Sequence, residues 1–260
     1  MLQKTIAGVL LAWGLAAGQG VHAAACPAFY VDGQPPQIRN LKLAASTREL
    51  CYEVFGVMHS GVTRTPLWSG EHLTGNNVEA ARDLSRENSF HPEMALPADQ
   101  RAELADYARS GFDRGHMAPN GDMPDRRSQH DSFTLANMVP QNSENNRHIW
   151  AGIEAVVRKL AVKEGDLYVI TGPAFIGGNL QKVGNVLVPT DIYKVVYSPR
   201  QHAGAAYFIA NRPTDDYQVL SIAALEAKIG IDLMPALSAS EKATVLHLPA
   251  VRGKKTKRQQ

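Results

Sequence analysis

The chain has very little cysteine. Its 260 residues include only Cys26 and Cys51, too few for a small fold built on disulfides or for a thiolate metal cluster. Long apolar runs are also missing: past the first 25 residues, no stretch approaches the roughly 20 apolar residues of a spanning helix. There is no internal repeat, low-complexity linker or heptad pattern, which excludes solenoids and coiled coils. No two of the nine histidines lie four residues apart, so the paired histidines of a zinc-binding helix are absent. The nearest pairs, such as His59 with His72, have no third ligand in an obvious pattern. Strong charge of one sign is lacking too. The net charge is +2, but Lys4, Arg252, Lys254, Lys255, Lys257 and Arg258 supply six of the 27 basic groups. Residues 26–251 therefore carry 21 basic groups against all 25 acidic ones. With a mildly acidic body, polyanion binding has to come from a local patch and the basic tail, not from a global field.

At the N-terminus Lys4 precedes an apolar run from Ile6 to Ala17 and a small-residue stretch ending Ala23-Ala24-Ala25. This is the layout of a secretory signal peptide, and the run is too short for an anchor. The expected organisation is a signal peptide at 1–25, one domain at 26–250 and a basic, disordered tail at 251–260. An exported chain of this kind works in the periplasm or the medium, with no membrane attachment after cleavage. In an oxidising compartment Cys26 and Cys51 read as a disulfide that staples the first segment to the first strand. On the chain-entropy model such a bridge contributes about 3 to 4 kcal/mol. Lipid attachment at Cys26 is the alternative, but the position three before it is Ala23 and not the usual Leu.

Apolar runs at Cys51 to Met58, Leu167 to Thr171, Val186 to Tyr197 and Ala205 to Ala210 predict strands. Helical patterns occupy Ser143 to Val162 and Ser221 to Ile229, the first with Ile149, Ile153, Val156, Val157 and Leu160 on one stripe. Strands dominate the middle and helices are interspersed without strict alternation, which predicts a mixed α+β domain.

Two segments could carry chemistry. Asp113-Arg-Gly-His-Met-Ala-Pro-Asn-Gly-Asp-Met-Pro-Asp125 is too rich in Gly and Pro for a helix interior and reads as a strand end and loop. Asn137-Met-Val-Pro-Gln141 leads through an amide-rich turn into the first helix, where Asn146, Trp150 and Glu154 are four apart and drift only about 40° per step. An amide and a carboxylate can then flank one site. On the plain structural reading Ser143 caps that helix, Trp150 is core and Glu154 is solvated.

Together the segments resemble the DNA/RNA non-specific endonuclease family. The match includes Asp113-Arg114-Gly115-His116-Met-Ala-Pro, Asn137-Met-Val-Pro-Gln141, Asn146 nine residues after Asn137, and Glu154 eight further on. Weaker stretches extend it: Arg64-Thr-Pro-Leu-Trp-Ser-Gly-Glu-His-Leu-Thr74, Tyr168-Val-Ile-Thr-Gly-Pro173 and Val188-Pro-Thr-Asp-Ile-Tyr-Lys-Val-Val196. The resemblance implies a mainly antiparallel sheet with helices and a beta-beta-alpha metal motif, and hydrolysis of DNA and RNA to 5′-phosphate products. It implies that His116 is the general base, Asn146 the single direct protein ligand of Mg²⁺ (or Mn²⁺), and Glu154 a group acting through metal-bound water. Arg114 and Arg64 are implied to face the phosphate, Asn137 to support the His116 loop and Asp113 to hold it in register. Arg126, Arg127, Arg147 and Arg158 are candidates for phosphate contacts, although for any single one a solvated arginine is the plainer reading. A homodimer is compatible with the resemblance. The rival classes are a polyanion-binding protein without catalysis and a zinc hydrolase.

Overall fold

The computed structural model of the protein describes residues 26–251. The expected signal peptide with its cleavage point, and the expected basic tail from residue 252 on, lie outside the described residues. In chain order the strands are β1 (Gln37–Ile38), β2 (Thr47–Cys51), β3 (Gly56–Ser60), β4 (Thr65–Thr74), β5 (Phe112–His116), β6 (Met138–Asn142), β7 (Asp166–Ala174), β8 (Lys182–Val183), β9 (Val186–Leu187), β10 (Asp191–Ser198), β11 (Ala203–Ala210), β12 (Gln218–Leu220) and β13 (Ile231–Asp232). The helices are α1 (Gly75–Arg82), α2 (Leu104–Tyr107), α3 (Arg126–Ser132), α4 (Ser143–Asn145), α5 (Ala151–Glu164), α6 (Ile222–Ile229) and α7 (Ala239–Ala243), and Asn146–Trp150 is wound as a π turn between α4 and α5.

Seven strands form one sheet in the order β12-β11-β10-β7-β4-β3-β2, with every pairing antiparallel. Both faces of its centre are covered, and the period-2 alternation of a strand sorts residues between them. From β10, Ile192 and Val196 pack with Ile153, Val157 and Leu160 of α5. Tyr193, Val195 and Tyr197 face the other way, against Ile222 and Leu225 of α6 and the N-terminal Phe29 and Tyr30. Each such buried side chain contributes about 1.5 to 3 kcal/mol, so the layers hold α5 firmly against the sheet. Tyr30 lies so close to the sheet that a Cβ at Gly70 would sit 2.5 Å from its ring.

The mixed α+β architecture agrees with expectation, while two strand boundaries differ. The run Cys51 to Met58 is divided, since β2 ends at Cys51 and β3 begins opposite it at Gly56. The run Val186 to Tyr197 is interrupted between β9 and β10 around Pro189, which has no N–H to give a ladder. The expected Cys26–Cys51 bond is not formed here: both side chains are thiols. They are adjacent, with the Cys51 side chain hydrogen-bonded to Cys26 and the Cys26 Sγ 3.6 Å from the Leu50 carbonyl oxygen. Burial pushes the Cys26 thiol well up and leaves it 2% exposed, an interior position unsuited to a lipid chain. No helix among the described residues is long and apolar enough to cross a membrane.

Candidate active site

β5 and β6 pair antiparallel, Phe112 opposite Asn142 and His116 opposite Met138, and β6 runs straight into α4, the π turn and α5. The motif glycine has a steric reason: a Cβ at Gly115 would collide with the Gln141 side chain crossing from β6. Asn142, not Ser143, caps the helix by accepting from the Asn145 N–H at 3.1 Å. The Ser143 hydroxyl is diverted to Asp113, donating to Oδ1 at 2.9 Å.

His116 ends β5 between two rings, with centroids 5.0 Å from Phe133 and 5.7 Å from Phe90. Its Nε2 is buried with no hydrogen-bond partner in the protein. Burial above all, and then the nearby Arg86 and Arg114 charges, pull the imidazole down to about 3. The ring is therefore neutral across the ordinary pH range. The loop after it is held by Asn137, which is fully buried. Its Oδ1 accepts from the Ala118 N–H at 2.9 Å and the Ser69 hydroxyl at 2.8 Å, while its Nδ2 donates to the Ala118 and Ser132 carbonyls at 2.9 Å each. The Met117 N–H also donates to the Asn137 carbonyl at 3.0 Å.

Asp113 sits at the centre of a second network. Arg147 grips it bidentately at 2.8 and 2.7 Å, and Asn146 donates from Nδ2 to Oδ2 at 3.0 Å. Those bonds hold the Asp113 carboxyl below its usual range despite partial burial. A carboxylate only accepts, so it must face the NH₂ of Asn146. This fixes the amide, and the carbonyl oxygen is the end left to bind a cation. Asn146 opens the π turn, a local widening of the kind found at functional sites. One turn on, Trp150 is fully buried in the core, as its plain reading expects, while Glu154 returns to the same cleft as Asn146. Burial raises the Glu154 carboxyl, and Arg158 and Lys194 pull it back. Beneath it Arg158 donates to Asp122 at 2.9 Å. Lys194 donates to the Thr171 hydroxyl at 2.6 Å and approaches the Met117 carbonyl at 3.5 Å.

These groups line one cleft of about 1060 Å³ that includes Arg86, Asp113, Arg114, His116, Asn146, Arg147, Glu154 and Arg158. The donor set fits a lightly held, hydrated cation: one amide oxygen and a nearby carboxylate suit Mg²⁺, which keeps most of its waters. Among the described residues no group of three or more His, Cys, Asp or Glu side chains is placed to hold a metal, so the zinc-hydrolase rival has no centre there.

The sequence model of the DNA/RNA non-specific endonuclease family matches residues 34–240, which encloses both networks. The chain belongs to that family. Its relatives include Nuclease C1 of Cunninghamella echinulata var. echinulata, 37% identical over 63% of this chain and 71% of that protein. The Mitochondrial nuclease of Saccharomyces cerevisiae is 32% identical over 73% and 66%, and Endonuclease G, mitochondrial, of Caenorhabditis elegans is 31% identical over 72% and 68%. Among solved structures, a chain of the EndoG/EndoGI complex aligns with a TM-score of 0.65 at 25% identity, over 76% of this chain and 89% of that one. The chain spans from under half to 71% of the length of the curated relatives it matches.

Within this endonuclease fold the arginines sort differently from expectation. Arg64 stands at the β3–β4 turn, where its Nη1 donates to the Arg101 carbonyl at 3.3 Å, and it does not line the cleft. Arg126 is taken by the Ser85 carbonyl at 2.6 Å and by Glu87 at 3.0 Å, and Arg127 is an exposed partner of Glu53 at 3.4 Å. Neither lines the cleft. Arg147 does, but both arms of its fork are spent on Asp113. The arginine that the sequence pattern missed is Arg86, which lies 5.1 Å over the Phe133 ring and beside His116. Arg114 stacks at 4.1 Å on Phe90. One expected result follows from the amide orientation. Asp113→Asn lets the Asn146 amide turn over, so cation affinity measured by titration calorimetry should fall about tenfold with the fold retained; unchanged affinity would contradict this reading.

Proposed function

We propose that the protein is an endonuclease that hydrolyses phosphodiester bonds in DNA and RNA, with His116 as general base and Asn146 holding a divalent cation. The observation that carries this is the neutral His116 imidazole, which lines one cleft together with Asn146 and Glu154. His116 accepts the proton of the attacking water on its unprotonated imidazole. Glu154, in the same cleft, would accept hydrogen bonds from water bound to that cation. Arg86 and Arg114 face the phosphate, whose charge grows as the bond to the leaving oxygen breaks. A bound Mg²⁺ or Mn²⁺, which Asn146 would hold, would supply positive charge for the departing 3′ oxygen. Nothing in this scheme uses the 2′ hydroxyl, so both nucleic acids are substrates. The products carry 5′ phosphates, which end-labelling checks: fragments should accept label only after phosphatase treatment, and fragments with free 5′ hydroxyls would refute the direction of cleavage. The rival without catalysis has no use for a neutral, desolvated imidazole, whose placement costs stability at acid pH.

The acid side of the pH profile is a separate expectation. The His116 pKa is depressed, so the base form exists at every pH above about 3. On the free enzyme, kcat/KM should show no fall near the ordinary histidine value of about 6.5. Initial rates from pH 5 to 8 check this, and a limb centred near 6.5 would contradict it.

We also infer export. Relatives in Saccharomyces cerevisiae and Caenorhabditis elegans carry mitochondrial names, but residues 1–25 contain no arginine and a single lysine, unlike an Arg-rich transit peptide. In an oxidising compartment the adjacent Cys26 and Cys51 thiols close into the disulfide. Non-reducing mass analysis of exported protein should then find no alkylatable thiol, whereas two titratable thiols would refute it. A homodimer is the assembly we propose, with light scattering as its test.

A further inference from the structure

The cleft extends past the groups that the mechanism uses. On β5, Phe112, Arg114 and His116 alternate onto one face, and two residues of strand advance about 6.7 Å, close to one nucleotide of an extended chain. A phosphate held at Arg114 and His116 therefore puts the neighbouring nucleotide beside Phe112. That end of the cleft is apolar: Leu104, 42% exposed, stands with Ala108 and Phe112 along its wall. Tyr107 lies among them, only 6% exposed, and its hydroxyl is buried without a partner.

The wall is preformed. The carboxylates of Glu103 and Asp106 cap α2 reciprocally, and Asp106 also accepts from the Asn185 N–H at 2.8 Å. After α2 the chain turns back into β5 through Arg109 and Gly111, whose φ angles of 55° and 81° are left-handed. For an arginine this is a strained conformation, retained where the surroundings impose it, and Arg109 lines the cleft rim. Arg114, flat on Phe90, joins this apolar end to the His116 end.

We propose that this end is a nucleobase subsite: it takes the unstacked base of the nucleotide on one side of the scissile phosphate, with Phe112 and Leu104 against its faces. The proposal rests on the nuclease reading above and adds a preference to it. A duplex keeps its bases stacked inside and cannot fill the subsite, whereas single strands and RNA loops can. The enzyme therefore favours unpaired nucleic acid.

The test is a single-stranded DNA of about 20 nucleotides carrying one tetrahydrofuran abasic residue, digested by the full chain, with cleavage at every linkage read on a sequencing gel. Base–aromatic contacts are worth about five- to a hundredfold in affinity, so we expect the linkage on one side of the abasic residue to be cut about tenfold more slowly than the rest. Leu104→Asp, a surface change, should remove that difference and lower the single- to double-strand rate ratio, while Leu104→Met should keep both. Uniform cutting past the abasic residue by the parent, or unaltered discrimination in Leu104→Asp, overturns the subsite and leaves the nuclease reading intact. No cleavage at any linkage overturns both.

Discussion

His116→Ala is expected to lower turnover by about 10²- to 10⁴-fold, the range that general-base catalysis supplies, while cation and DNA binding stay near the parent values. The argument rests on what surrounds the ring. His116 makes its contacts through Phe90, Phe133 and two nearby cations, and its loop is held independently by Asn137. Truncation thus removes the base and leaves the cleft standing. The gap between the two phenyl rings has the shape of an imidazole, so free imidazole in the buffer should restore part of the rate. Near-normal turnover in this variant would show that another group activates the water.

Asn146→Ala should fail in a different way. It removes the only amide oxygen that Asp113 aims at the cation, so affinity falls and raising Mg²⁺ recovers part of the rate, whereas imidazole does nothing. The loss is expected to reach about a hundredfold at low Mg²⁺, the upper part of the range for disturbed metal sites, and to shrink at high Mg²⁺. Cation binding as tight as the parent's would assign the ligand elsewhere. Removing Asn146 also frees Asp113 from one hydrogen bond, but the Arg147 fork and Ser143 still hold that carboxylate, so the defect is one of binding and not of folding.

The two variants address residues that the sequence made visible. Period and turn chemistry place His116 on a strand end and Asn146 at a helix start, but it was the family resemblance that singled both out. The helical period made Trp150 legible as core. The resemblance named Asn137, Asp113 and Glu154, but not the Asp113–Asn146 bond, because pairing across 33 positions leaves no periodic trace. Arg86 was missed because it sits in the irregular stretch 83–92, where only tertiary contacts with Phe133 decide its place. Arg64, placed at the phosphate by the resemblance, instead donates to the Arg101 carbonyl outside the cleft. The π turn carries no sequence signature, and in spite of it Asn146 and Glu154, counted four residues at a time, do line one cleft. Lys194 hides inside an apolar strand, where one polar residue in a buried run announces neither its Thr171 partner nor its reach to the Met117 carbonyl.

The most direct measurement is digestion of supercoiled plasmid DNA and of a defined RNA by the purified chain, with and without a chelator. The account predicts that both substrates are cut internally, that chelator stops the reaction, and that added Mg²⁺ restores it. Intact substrates in the presence of Mg²⁺, or cleavage that continues at full rate under chelator, would contradict it.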